Sequence, residues 1–232
     1  MAHNKYAGFS LACRMMGLVI AVVILCTWGL SVAFGLSVAH NWASPLSWLW
    51  VAVQTHLYTG LFITAHDAMH GTVHPRAQVN RLVGWLAAGL FAYNYYPLLI
   101  RKHHQHHRFV ATAADPDFHT GSFLRWYLSF LRQYIRWPQL LLMALTFNVL
   151  KYFFPLENVL LFWMLPAVLS TFQLFVFGTW LPHRGTPANA HHARSQRKNH
   201  LWAFVSCYFF GYHYEHHHHP GTPWWRLWAY KA

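Results

Sequence analysis

Eight of the chain's twenty histidines repeat just two spacings. His66 and His70 form an H-x-x-x-H pair; His103, His106 and His107 form H-x-x-H-H, and His213, His216 and His217 form it again. On a helix of about 3.6 residues per turn, positions i, i+3 and i+4 share a face, while adjacent residues diverge by about 100°. Each pair can therefore reach one ion, and each triplet can serve two neighbouring ions. A single helix-end pair is as readily structural as metal-binding, but two matching triplets beside it are hard to place in solvated basic loops. The run His216 to His219 looks like an affinity tag, yet it is internal, and Tyr214 and Glu215 separate it from His213.

Ligand type narrows the chemistry. Imidazole suits Zn, Cu, Fe and Ni, and three scattered cysteines (Cys13, Cys26, Cys207) offer neither a thiolate zinc site nor a disulfide framework; they are read as reduced packing residues. Eight ligands exceed the coordination number of one ion, so a two-ion centre is expected. Neutral imidazoles leave such a centre with open positions for oxygen, which favours iron oxidation chemistry over hydrolysis. His183 offers either a ninth ligand or a headgroup-facing histidine.

Four of only five acidic residues stand in or beside these clusters. Asp67, Asp117 and Glu215 are the candidates to accept the far N–H of a ligand imidazole, which fixes its tautomer and raises its basicity. Asp115 and Asp117 equally suit loop or helix capping.

The elements that must position these residues follow from composition: 56% apolar, 19% aromatic and 9% charged, against roughly a quarter charged in ordinary globular proteins. Spanning a bilayer takes about 20 mostly apolar residues. Segments 12–35, 46–65, 139–154 and 158–182 are read as four membrane-spanning helices in two hairpins, the second turning at Pro155-Leu156-Glu157. The first exceeds a signal-peptide core and lacks a convincing cleavage site. Segment 79–97 is expected to be re-entrant or interfacial, because basic, histidine-rich sequence flanks both ends. Segment 122–137, with Arg125, Arg132 and Arg136 among aromatics, reads as an interfacial helix, or as an ordinary surface helix. The whole is an all-α integral membrane protein, a single domain over 1–232, with a histidine-rich cap.

The net charge of +12 would suggest nucleic acid in a soluble chain. Here all Lys and Arg except Lys151 lie in the N-terminal arm, in 76–136 or from Arg184 onward, which places both termini and every histidine cluster on the cytoplasmic side. Anionic lipid is the expected partner of that surface, and nucleic acid is not.

With these residues assembled, the chain resembles the membrane di-iron superfamily of fatty-acid desaturases, hydroxylases and carotenoid oxygenases, and within it the bacterial-type carotenoid 4,4′-ketolase branch. The stretches that carry the resemblance are HDAMHGTVHP (66–75), RKHHQHH (101–107), DPDFHTG (115–121), FGTWLPHR (177–184), FGYHYEHHHHP (210–220) and PWWRL (223–227). The resemblance implies iron ligation by His66, His70, His103, His106, His107, His183, His213, His216 and His217. His104, His218 and His219 fall outside the pattern. It further implies oxidation of the C4 methylene of a β-ionone ring with O₂ and electrons from a ferredoxin-like donor. β-Carotene would pass to canthaxanthin and zeaxanthin to astaxanthin, in the cell membrane or an internal photosynthetic membrane.

A carotenoid must enter from the bilayer along an apolar tunnel. Tyr93, Tyr95, Tyr96, Phe118 and Trp180 are candidates for its lining, though each also suits packing. The basic stretch around Arg194, Arg197 and Lys198 would face either an acidic donor protein or lipid headgroups. A fatty-acyl desaturase or hydroxylase shares the expected metal site. A histidine-rich metal transporter would instead carry polar ligands along its spanning helices.

Overall fold

A computed structural model describes the backbone of residues 11–231 and the side chains from Met15 onward, so the basic N-terminal arm and the packing of Cys13 lie outside the described residues. Within them every regular element is a helix, as the composition predicts: α1 (Leu11–Ser37), α2 (Pro45–His70), α3 (Ala77–Leu90), α4 (Tyr96–Phe109), α5 (Phe123–Tyr134), α6 (Trp137–Phe153), α7 (Leu156–His183), α8 (His200–Cys207), α9 (His213–His218) and a closing 3₁₀ turn, Trp224–Tyr230.

Two helices are long and apolar enough to cross a membrane on those criteria alone: Met15–Ser37, with a mean hydropathy of 2.4, and Leu156–His183, at 2.0. The other two expected crossings exist as helices. However, α2 carries Gln54, His56 and the His66–His70 pair along its 26 residues, and α6 has only 17, about 25 Å at 1.5 Å per residue. Segment 79–97 is shorter as a helix than its apolar run, because Ala92 and Tyr93 adopt positive φ and stop the chain after Leu90. Cys207 is buried as expected, whereas Cys26 is exposed on α1.

Exposed apolar surface is extensive. No α6 residue is buried, and Leu30, Leu140, Val149 and Phe153 are all more than half exposed. Soluble monomers rarely show contiguous apolar surface on this scale, and lipid is the medium that covers it.

α2 is the central post, packed against α1, α3 and α7. Polar side chains fasten the helices to one another: the Thr59 hydroxyl of α2 lies 2.9 Å from that of Ser170 on α7, and Gln173 Nε2 of α7 donates to the Ser206 carbonyl of α8 at 2.7 Å. Asn158 donates to the carbonyls of Leu36 and Val38, tying the end of α1 to the start of α7.

The α3–α4 crossing depends on the missing side chain of Gly84. A Cβ there would lie 2.0 Å from Cζ of the buried Tyr96 ring. Tyr96 leads into the helix that carries the second histidine cluster, so this contact helps to set the height of α4. Gly84→Ala is expected to destabilise the protein by about 1–3 kcal/mol through overpacking. Gly89→Ala, where the added methyl meets open space, should be neutral or slightly stabilising. Thermal unfolding in detergent compares the two; equal midpoints would refute the steric account.

Candidate metal centre

Each histidine cluster stands near a helix end whose stop or start is locally encoded. α2 ends immediately after His70 because Gly71 adopts φ 72° and turns its N–H back onto the carbonyls of Ala68 and Asp67. This left-handed cap places His66 and His70 in the last two turns. α4 has Pro97 in its first turn and carries His103, His106 and His107 in its last two. α7 contains a π turn at Val176–Trp180, closed by Leu181 N–H to the Val176 carbonyl. The extra residue re-phases the helix just before His183. α9 begins after a reversal at Tyr208 and Phe209, both at positive φ, and presents His213, His216 and His217.

The four elements bring all nine expected ligands together and sort them. His66, His70, His103, His107 and His216 form one group; His106, His183, His213 and His217 form the other, with the ligand atoms of each within 4.8 Å of one another. Each H-x-x-H-H triplet is split between the groups, as the divergence of adjacent histidines requires: His106 from His107, and His217 from His216. Close Nε2–Nε2 approaches stay inside a group: His70–His103 at 2.6 Å and His107–His216 at 3.0 Å in the first, His183–His213 at 2.9 Å, His213–His217 at 3.0 Å and His106–His217 at 3.2 Å in the second. Two nitrogens bound to one ion at about 2.1 Å and at right angles are about 3.0 Å apart, so these spacings fit a shared cation. The buried His66 ring has no hydrogen-bond partner on either nitrogen, as a ring awaiting a metal would. An all-imidazole set of this kind suits Fe, Zn, Cu or Ni. His104, His218 and His219 belong to neither group.

Outer contacts fix tautomers. His106 Nδ1 lies 2.9 Å from Asp115 Oδ1, and His183 Nδ1 lies 2.9 Å from the His192 carbonyl, so both rings carry that proton outward and leave the Nε2 lone pair free. Burial, reinforced by neighbouring imidazoles, holds His103, His213, His216 and His217 well below the ordinary histidine range and takes His107 to about 2. These rings are neutral at physiological pH. His106 runs the other way: burial lowers its pKa, but the hydrogen bond to Asp115 and the Asp117 carboxylate together raise it.

The carboxylates differ from expectation. Asp115, read from sequence as a possible cap, does cap its loop by accepting the N–H groups of Ala111 and Asp117, and is also the direct partner of His106. Its only sequence signal was membership of the acidic D-P-D run. Asp117 stands 3.9 Å from the same nitrogen, beyond hydrogen-bond range, and accepts the Tyr134 hydroxyl. Asp67 Oδ1 is 3.7 Å from His66 Nδ1, while its Oδ2 accepts the Trp224 N–H and anchors the closing turn. Glu215 orients no ligand ring; it accepts from Ser195 and Lys231, which tie α9 to the loop before it and to the C-terminal end.

A chamber of about 260 Å³ borders both groups, through His66 and His103 of one and His106 and His213 of the other, with Phe62, Phe91, Phe130 and Phe210 among its walls. None of the five aromatic residues expected to line a tunnel borders it. Tyr93 borders a smaller adjoining cavity and lies 2.6 Å from the Thr146 hydroxyl. Tyr95 faces outward against Trp85, Tyr96 fills the notch at Gly84, Phe118 packs on Trp126, and Trp180 packs between Phe123 and the Arg184 guanidinium. Aromatic type marks burial in lipid-embedded protein too generally to single out a wall.

Two outcomes test this arrangement. Asp115→Asn removes the anionic partner of His106 and should weaken metal affinity about 10- to 100-fold with the helical content intact, read by competition with a chelator. Acid acts on the same rings: below about pH 6.5 the unfolded chain takes up protons that the folded chain refuses, so stability of the metal-free protein rises with pH through that window and falls below it. His106 opposes the trend, and so does Asp117, whose burial raises its pKa to about 6 so that the folded chain keeps a proton the unfolded chain has lost. A metal-free melting temperature that rises between about pH 7.5 and about pH 5.5 would contradict the neutral-ring assignment.

The Fatty acid desaturase family model matches residues 40–156 and 123–232. A beta-carotene ketolase of Paracoccus sp. (strain PC1) is 44% identical over 216 residues, covering 89% of this chain and 88% of that protein. A second, from Paracoccus sp. (strain N81106 / MBIC 01143), is 46% identical over 75% of this chain and 74% of its own length. The zeaxanthin 4-ketolase of Chlamydomonas reinhardtii is 37% identical over 91% of this chain and 52% of its own. No solved structure matches. Nine imidazoles sorted into two groups at helix ends, and a family match running from residue 40 to the C-terminus, lead to one conclusion: this chain belongs to the fatty acid desaturase family.

Proposed function

We propose that this chain is a carotenoid β-ring 4-ketolase, a membrane oxidoreductase that converts the C4 methylene of β-carotene to a ketone. One observation carries the reading: an apolar chamber is bordered by members of both imidazole groups. The relatives named as beta-carotene ketolases and a zeaxanthin 4-ketolase supply the substrate class.

A pair of iron ions, held one by each group, would supply the O₂ activation that exchanges an allylic C–H for C–OH. The chain's own part is to hold and exclude. Phe62, Phe91, Met69 and Phe210 form a water-poor wall against which a β-ionone ring can rest beside the rings of both groups. Asp115 keeps the His106 proton on Nδ1, away from the metal-facing nitrogen. Ile135, Leu140 and Val168 line the chamber and are also exposed on the outer surface, so the chamber's mouth opens sideways between the α5–α6 junction and α7. That favours entry of the carotenoid from the bilayer. Two successive hydroxylations at one carbon give a gem-diol, which loses water to the ketone.

In this reading α1, α2, α6 and α7 cross the membrane as two hairpins with the histidine groups at the cytoplasmic end, as the distribution of Lys and Arg favours. Electrons come from a ferredoxin-like donor. Support for a docking face comes from the exposed Arg194, Arg197 and Lys198 on the segment whose His192 carbonyl holds His183.

Expression in a bacterium that accumulates β-carotene should turn its pigment from yellow-orange toward red, with the ketone confirmed by mass, and zeaxanthin assayed in parallel defines whether a 3-hydroxylated ring is accepted. Ala at His213, His216 or His217 should abolish ketone formation and lower the iron content from two per chain, with membrane insertion retained; Ala at His218, outside both groups, should do much less. Unchanged pigment with iron-loaded protein and an active donor would sink the substrate assignment, and a single zinc per chain would sink the metal assignment.

A further inference from the structure

The ketolase reading raises a retention problem. The first oxidation adds one oxygen atom from O₂ to C4, with two electrons and two protons from the donor side reducing the other oxygen to water. The product is an allylic alcohol. A second, identical oxidation gives the gem-diol, which loses water to the ketone. Between the two, a hydroxyl sits in a chamber walled mainly by apolar side chains. Burying a hydroxyl without a partner is unfavourable, so the alcohol is driven out unless the chamber offers a hydrogen bond.

The polar side chains bordering the chamber, apart from the histidines, are few, and most are engaged. Asn94 donates to the Phe91 carbonyl, Gln139 to the Ala92 carbonyl, Thr171 to the Ala167 carbonyl and Tyr134 to Asp117. Thr179 also borders the chamber, is only 4% exposed, and its hydroxyl has no hydrogen-bond partner among the described residues. It sits in the π turn Val176–Trp180, four residues before His183, and shares the chamber wall with His213 and Phe210. The contrast with Thr171 is direct: that hydroxyl turns back onto its own helix, at 2.9 Å from the carbonyl four residues earlier. A π turn displaces the i−4 carbonyl that a helical threonine ordinarily uses, and such turns recur at functional positions.

We propose that Thr179 is the residue that retains the 4-hydroxy intermediate, its hydroxyl pairing with the new C4 hydroxyl so that the same carbon is oxidised a second time before release. The proposal rests on the ketolase reading for its substrate. It makes Thr179 a determinant of product, alcohol or ketone, with little bearing on the first oxidation, whose substrate ring has no polar group to pair.

The test uses the full-length, iron-loaded protein with its donor and β-carotene, stopped at low conversion and analysed by mass for 4-hydroxy and 4-keto products. Thr179→Val, which keeps the shape and removes the hydroxyl, should raise the alcohol-to-ketone ratio roughly two- to tenfold, the range of one net hydrogen bond. Iron content should be unchanged, and Thr179→Ser should restore the ratio. A second measurement needs no turnover: binding of a 4-hydroxylated carotenoid and of β-carotene to the metal-free protein, followed by carotenoid absorbance. Thr179→Val should weaken the former by a similar factor and leave the latter alone. An unchanged product ratio with full iron, or equal weakening of both ligands, would overturn the assignment. Absence of any oxidised carotenoid from the wild type would instead sink the ketolase reading, and the metal-free binding comparison would still decide whether Thr179 pairs with a ring hydroxyl.

Discussion

Nine imidazoles must be gathered, uncharged, with their lone pairs pointing at two places, and the rest of the molecule answers to that requirement. Nitrogens brought within 2.6–3.2 Å of one another are poor neighbours unless a proton or a cation lies between them. Leaving one buried polar group unsatisfied costs about 1–3 kcal/mol, and a domain's whole net stability is about 5–15 kcal/mol. Several unmatched rings would therefore lower it without a cation. Metal binding then adds to the stability of the folded chain, because the free energy of filling the two groups is part of what holds the four contributing helix ends together.

That arrangement needs rigid supports outside the ligand shell. The Gly71 cap stops α2 at His70, Asp115 and the His192 carbonyl hold two rings from behind, and Asp67 reaches across to Trp224 to fasten the chain's closing turn. Each is a short-range device, but they act on elements far apart in sequence. The ligands of a single group come from α2, α4 and α9, or from α4, α7 and α9. A shift of α4 or α9 changes both groups, since each H-x-x-H-H triplet contributes to both.

The molecule also keeps two media apart. One end of the helices is crowded with imidazoles and carboxylates; the remainder presents apolar side chains outward along α1 and α6. The chamber lies where these regimes meet, apolar in its walls and bordered at one side by the metal-binding rings. A hydrocarbon ring is at home there, and an oxygenated one is not, which is why a single uncommitted hydroxyl at Thr179 carries consequence in this position and would carry none on the surface.

The helical class, helices over the four expected crossings and the nine histidines that gather into two groups were legible from periodicity, composition and resemblance, because i, i+3, i+4 spacing and hydropathy are local properties of the chain. The pairing of expected crossings into hairpins is not a local property, and among the described residues only α1 and α7 qualify as spans by length and apolarity. Partners that meet across the fold were out of reach in the same way. Asp115 rather than Asp117 bonds His106, Glu215 turns to Ser195 and Lys231, and none of Tyr93, Tyr95, Tyr96, Phe118 and Trp180 borders the chamber. Spacing along a helix says which side chains share a face. Which ring, carboxylate or wall that face meets depends on distances between residues tens of positions apart, and only the packed helices set those.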